Sequence, residues 1–223
     1  MILLKGDSMD KIVPEYMEEY LRCLLPKRDA FLSSLEAEAA DTETYAPIIE
    51  PEVANLLQVL IKMTKPKRIL ELGTAIGYSS IVMARAMGDG EIITVERYAV
   101  AYERAVANIK KAGLSHIIKP VLEEASSVLN WLDPPFDMIF MDAAKGQYME
   151  FLPDCLRLLK KGGILISDDV LYKGEVTDAV STEKRKVTLV NRLNKYLEHI
   201  SDTEGLATTV LPIGNGVAIS IKE

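Results

Sequence analysis

The sequence predicts an α/β fold: a mostly parallel, seven-stranded sheet covered by helices on both faces, with helices ahead of it and an antiparallel hairpin at its C-terminal end. Three observations predict it. From Lys67 onward, short apolar, β-branched runs (RILEL, EIITVE, IIKPVL, FDMIFMD and GGILISDD) alternate with helical stretches of about ten to fifteen residues, which is βαβ organisation. The runs are apolar almost throughout, as strands buried on both faces of a parallel sheet must be. The final pair, in LATTVLPIGNGVAISIKE, is joined through Gly214, Asn215 and Gly216, and a direct connection makes two strands antiparallel.

Taken in order, Val13, Tyr16, Met17, Tyr20, Leu21 and Leu24 recur at three- and four-residue steps and predict an amphipathic helix that ends before Pro26. A short second helix follows through Phe31, Leu32 and Leu35. A third begins at Pro51, a residue suited to the first helical position, and carries Val53, Leu56, Leu57, Leu60 and Ile61. The five parallel runs come next, and right-handed crossovers between them restrict the winding to the doubly wound type. A helix with Val187, Val190, Leu193, Leu197 and Ile200 precedes the hairpin. Neither a repeat nor a linker interrupts the chain, so residues 1–223 are expected to form one domain with an N-terminal helical segment at about 10–63.

Composition narrows the function classes. With 223 residues, 48% of them hydrophobic and 26% charged, the chain can bury a core that needs no staple. Cys23 and Cys155 are therefore expected as reduced thiols. The N-terminal apolar run is too short for a secretion signal, and no stretch approaches the ~20 residues of a membrane span. A cytoplasmic protein without a membrane partner is expected. The formal charge of −7 argues against a general grip on nucleic acid. Local basic clusters still exist at Lys27 and Arg28, at Lys65, Lys67 and Arg68, and at Lys184, Arg185 and Lys186. His116 and His199 have no partner at ligand spacing and are given no role.

The chemistry concentrates at the predicted strand ends. The first strand runs into ELGTAIGYSS, in which Glu71, Gly73 and Gly77 form E-x-G-x-x-x-G where strand gives way to helix. A carboxylate there would repel a pyrophosphate and welcome a cationic ligand, such as a sulfonium bearing an ammonium group. Glu96 closes the second strand, twenty-three residues after Gly73, where an acid can accept both hydroxyls of a ribose. Together these residues suggest S-adenosylmethionine. Glu124 and Ala125 follow the third strand and are candidates to flank the adenine, although an acid at a strand end serves equally well as a helix cap.

Asp142 ends the fourth strand, and Asp168 with Asp169 ends the fifth. Neighbouring strand tips would bring the acids together, and repulsion among them is relieved by a hard cation with oxygen ligands, Mg²⁺ first. Capping of the following helices is the alternative role. Lys145, three residues beyond Asp142, could take a proton from a hydroxyl bound to such a cation.

These segments, LELGTAIGYSS, FMDAAKGQY, DDVLYKG and PIGNGVAIS, resemble the metal-dependent, S-adenosylmethionine-dependent O-methyltransferases related to catechol and caffeoyl-CoA enzymes. The resemblance extends over nearly the whole chain from about Asp10, and it implies the Rossmann-like class I methyltransferase fold. Within the family, the segments look most like the bacterial branch that methylates 5-hydroxyuridine at the tRNA wobble position to 5-methoxyuridine.

The resemblance implies donor contacts at Ile49, Glu71, Gly73, Gly77, Tyr78, Ser79, Glu96, Glu124, Ala125 and Asp142, metal ligation by Asp142, Asp168 and Asp169, and Lys145 as the base assisted by Asp142. It also implies a homodimer. One departure is visible: where the family carries Asn as third ligand, this chain has Asp169, so three ionised aspartates would leave −1 around Mg²⁺ in place of zero. Tighter metal binding and altered metal preference are expected from it.

The expected reaction is methylation of one oxygen of a vicinal pair chelated by the cation. In 5-hydroxyuridine that pair is the 5-hydroxyl and O4, and the partner would be a tRNA anticodon loop, whose unstacked base can enter a pocket. Small catechol-like or acyl-CoA phenolic substrates are the alternative.

Overall fold

The computed structural model describes residues 12–40, 47–177 and 186–223. At its centre, strands β1 (Arg68–Leu72), β2 (Glu91–Glu96), β3 (Ile118–Leu122), β4 (Phe136–Met141), β5 (Leu159–Ser167), β6 (Leu206–Leu211) and β7 (Val217–Lys222) form one seven-stranded sheet in the order β3-β2-β1-β4-β5-β7-β6. The first five strands are parallel, and β7 runs antiparallel to both β5 and β6. The expected fold class is therefore the observed one. Pro120 sits within β3 without cost because β3 is an edge strand, where a missing N–H leaves no ladder bond unmade.

Strand order reverses between β1 and β4, so crossovers leave these two strands toward opposite faces and open a crevice at their carboxyl ends. Period-two alternation divides the core in two. Ile69, Met138, Phe140, Ile164 and Ile166 face a layer formed by helices α3 (Pro51–Thr64), α4 (Tyr78–Met87) and α5 (Ala99–Lys111). Leu70, Leu72, Ile139, Met141 and Leu165 face the opposite layer, built from α6 (Ala125–Trp131), α7 (Tyr148–Leu158) and α8 (Val187–Asp202). Burying such side chains at ~25 cal/mol per Å² of apolar area is what holds the strand tips in place.

Two helices precede these layers. Helix α1 (Glu15–Leu24) begins two residues after Val13 and buries no side chain, leaving Tyr16, Tyr20 and Leu24 largely exposed. An Arg22–Glu52 ion pair of 2.6 Å joins it to α3. Helix α2 (Ala30–Ala40) adds Leu32 and Leu35 to the core. The β6–β7 turn folds back over β5, with the Val170 N–H donating to the Gly216 carbonyl and the Leu171 N–H to that of Asn215. Asn215 is thereby delivered to the crevice. Among the described residues no helix is long and apolar enough to cross a membrane.

Candidate active site

The crevice begins as a problem of backbone approach. Gly73, just beyond β1, adopts φ +103°, and a Cβ placed there would stand 2.3 Å from the carbonyl oxygen of Asp142 beyond β4. Only glycine lets these two tips meet. The Asp142 N–H donates to the Leu72 carbonyl at 2.9 Å, and the Asp168 N–H to that of Met141 at 3.0 Å, which carries the alignment across β1, β4 and β5. The buried Tyr148 hydroxyl lies 3.1 Å from the Met141 carbonyl and 3.0 Å from that of Asp168 and shares its proton between them. A cleft of about 860 Å³ opens above these tips.

Strand parity then decides where the acids point. Asp142 continues the alternation of Met138 and Phe140, and Asp168 that of Ile164 and Ile166, so both incline toward the layer containing α3. There they meet Glu50, the residue before Pro51 at the entry to α3. Carboxylate oxygens of Glu50, Asp168 and Asp169 all lie within 4.8 Å of one another. Asp142, expected from the sequence as a ligand alongside the other two aspartates, stands beside Asp168 without joining that cluster. Lys145, on the turn after β4, pairs with Asp169.

Burial dominates the electrostatics. It pushes the Asp168 carboxyl up to about 7, with Lys145 opposing the shift. It also raises Asp142 well above the usual carboxylate range, and the charges of Asp168, Glu71 and Glu50 add to the effect. Glu50 is raised by burial and by Asp168. Oxygen donors crowded this closely match the needs of a hard divalent cation, so Mg²⁺ fits the residues present; Glu50, Asp168 and Asp169 would hold it, with Asp142 adjacent.

On the β2 side of the cleft, Glu96 is buried at the tip of its strand. Its Oε2 accepts the Ala75 N–H and its Oε1 the Tyr98 N–H, each at 2.9 Å. Those bonds lock the glycine loop to the β2 end and leave lone pairs for a diol. The Arg97 guanidinium stacks 4.6 Å from the centre of the Tyr98 ring and, with Glu124 and Ala125, forms the far wall. Ile49 lines the opposite side.

Of the residues singled out in the sequence, Ile49, Gly73, Glu96, Glu124, Ala125, Asp142, Lys145, Asp168 and Asp169 all line this one cleft. Glu71, Gly77, Tyr78 and Ser79 do not. Glu71 shares the face of Ile69 and lies wholly buried beneath the loop, where it accepts the hydroxyls of Ser80 and Thr94. Burial pushes its carboxyl up to about 7. Tyr78 is buried with its hydroxyl turned to Glu36 of α2. Gly77 starts α4 at φ +84° and allows α5 to approach, since a Cβ there would touch Ala105 at 3.4 Å. These residues shape the loop from behind.

Sequence reading missed Glu50, Asn215 and Tyr148. Asn215 donates to Glu50 Oε1 at 2.9 Å. Both residues also line a second cavity, of about 740 Å³, between α1 and the β6–β7 turn, with apolar walls from Leu21, Leu24, Leu25 and Ile213. Two hollows thus meet at one carboxylate.

The chain is similar to known proteins along most of its length. The chain is 36% identical over 222 residues to a catechol O-methyltransferase of Niastella koreensis, covering 96% of this chain and 99% of that protein. It is 32% identical to a caffeoyl-CoA O-methyltransferase of Populus kitakamiensis, over 82% of this chain and 83% of that one. The crystal structure of the O-methyltransferase TomG from Streptomyces achromogenes, in complex with SAM, superposes with a TM-score of 0.81 at 28% identity, covering 93% of this chain and 96% of TomG. The O-methyltransferase family model matches residues 26–223. A doubly wound sheet with an acid-lined cleft at its switch point, and relatives of this kind along almost its full length, make the chain a member of the O-methyltransferase family of catechol and caffeoyl-CoA type.

Proposed function

We propose that this protein transfers the methyl group of S-adenosylmethionine to one oxygen of a vicinal pair on a small catechol-like or phenolic acceptor, with a divalent cation at the strand tips. The observation that carries the reading is the convergence of Glu50, Asp168, Asp169 and Lys145 in the cleft that also holds Glu96. Glu96 would accept the ribose hydroxyls, and the Gly73 loop would let the donor lie against backbone. Arg97, Tyr98, Glu124 and Ala125 would enclose the adenine. When bound, the cation lowers the pKa of a chelated hydroxyl and fixes its direction. Lys145 would take the hydroxyl proton; the acceptor oxygen forms its bond to the methyl carbon as the carbon–sulfur bond breaks, leaving the thioether. Placement of two bound partners supplies most of the rate.

Charge around the cleft bears on the acceptor. A tRNA loop needs cations around the cleft mouth to meet its phosphates. Lys65, Lys67 and Arg68 lie at the end of α3 and the start of β1, at the opposite end of the sheet. Arg28 is spent on the Pro51 carbonyl and on Glu36, Lys186 faces Glu175, and the cleft-lining Arg97 and Arg104 are paired with Glu124 and Glu38. Lys184 and Arg185 lie outside the described residues. The cavity beside the cation site combines an apolar wall of Leu21, Leu24, Leu25 and Ile213 with the charged side chains of Glu18, Arg22, Glu52 and Lys173, and its apolar wall suits the body of a small aromatic molecule. The relatives named above are catechol and caffeoyl-CoA enzymes, in keeping with this acceptor class.

The test is a side-by-side assay with labelled donor and Mg²⁺, offering catechol, caffeoyl-CoA and tRNA lacking 5-methoxyuridine across a salt series. Methylation of a phenolic acceptor at a rate little affected by salt is expected. Transfer to tRNA alone, falling steeply with salt, would refute the small-molecule reading.

A further inference from the structure

The geometry points to Glu50 as a direct ligand of the cation, a carboxylate contributed from outside the sheet by the entry to α3. The inference rests on the cation-assisted reading above and deepens it. Glu50 stands at the N-cap of α3 in extended conformation, the place where an acid ordinarily accepts the first free N–H groups of a helix, yet its side chain makes no such bond. It turns away from the helix to bring a carboxylate oxygen within 4.8 Å of oxygens of both Asp168 and Asp169.

Two neighbours hold it there. Asn215 Nδ2 donates to Oε1 at 2.9 Å, the outer contact that orients a ligating carboxylate. Gly214 leaves room for the other oxygen, since a Cβ at that position would stand 3.1 Å from Oε2. Asp169 is paired with Lys145, and the three-carboxylate cluster, with Asp142 beside it, gathers more acids than that one amine offsets, leaving an excess of negative charge. A divalent cation balances it. This also accounts for the aspartate at position 169: its extra charge is met by Lys145, and the second acid beside Asp168 is Glu50. Because Glu50 and Asn215 line both cavities, ligation at Glu50 sets the ion on the threshold between donor cleft and second cavity.

The test is titration of Mn²⁺ into the metal-free protein, followed by the loss of the free-ion electron paramagnetic resonance signal, for wild type, Glu50→Gln and Glu50→Asp. Thermal unfolding without metal confirms that each variant is folded. The expected result is at least tenfold weaker binding in E50Q and at least threefold weaker binding in E50D, which keeps the charge and withdraws the oxygens. A manganese-bound crystal should show a Glu50 oxygen in direct bonding contact with the ion, with no water between them. E50Q binding within twofold of wild type overturns the inference, as does E50D binding like wild type, which would make Glu50 a distant charge only. Should E50Q fail to fold, E50D and Asn215→Ala carry the comparison. Wild type that binds no Mn²⁺ would instead refute the cation-assisted reading itself.

Discussion

Replacing Gly73 by alanine probes the closest backbone approach in the cleft. The added Cβ would lie 2.3 Å from the Asp142 carbonyl oxygen and 2.8 Å from its carbon, whereas ordinary contact begins at 3.4 Å. Backbone cannot rotate out of the way, so the β1 and β4 tips must part by about 1 Å. At φ +103° the alanine also enters a conformation costing on the order of 1–3 kcal/mol. Strain and lost tip contacts together give about 2–4 kcal/mol of destabilisation, or roughly 5–12 °C in melting temperature for a chain of this size. Displacement of Asp142 and Lys145 by about 1 Å should lower turnover on the order of 10²-fold, because in-line transfer tolerates little misplacement. Gly88→Ala is the control: it too has a left-handed φ, of +75°, but a Cβ there meets nothing within 4 Å. Calorimetric melting and transfer of labelled methyl to catechol, with donor saturating, measure both effects. G73A that melts and turns over like G88A would refute the argument that close approach of the tips builds the site.

Asp169→Asn keeps the left-handed backbone at φ +57°, which asparagine adopts as readily as aspartate, and releases Lys145 from its ion pair. Methyl transfer is expected to persist within about tenfold while the ratio of Mg²⁺- to Mn²⁺-supported rates changes; complete loss of transfer contradicts this. A pH dependence follows from Glu71, whose carboxyl is raised to about 7 when folded, so the native state holds a proton that the unfolded chain releases from about pH 4.5. Stability therefore falls as pH rises through that window. Glu71→Gln removes this contribution, and its melting temperature should gain on wild type between pH 5 and pH 8 by the equivalent of on the order of 3 kcal/mol; a constant difference across that range sinks the assignment. Tyr148→Phe deletes the hydroxyl shared by the Met141 and Asp168 carbonyls and should cost about 1–3 kcal/mol by chemical denaturation. An unchanged midpoint would show the bond to be idle.

The parts of this fold that sequence made plain are those in which one run of residues carries its own evidence. The apolar strands, the glycine turn and the acids following them are local, and a parallel sheet puts every such strand end on one edge, so Asp142, Asp168 and Glu96 could be assigned to one cleft. Direction was harder. Glu71 lies two residues from Gly73, and only its parity with Ile69 shows that it faces the underside of α4 and not the cleft. Tyr78 is similarly drawn off by Glu36, a partner on a helix whose docking no local pattern announces. Glu50 and Asn215 were illegible for a plainer reason: they are 165 positions apart, one resembling a helix cap and the other a turn residue, and only their meeting across the crevice gives either a role.

The single phenol that ties β4 to β5 has a bearing on how such a cleft can change. Tyr148 does not line the cleft and is pressed edge-on, ring centres 5.4 Å apart, against Tyr196, whose own hydroxyl is bonded to Ser167 at 2.6 Å. The strand tips that bound the cleft are thus anchored from the rear by side chains that do not line it. The surface around α1 and the hairpin turn can therefore vary while the strand tips that bound the cleft stay in register.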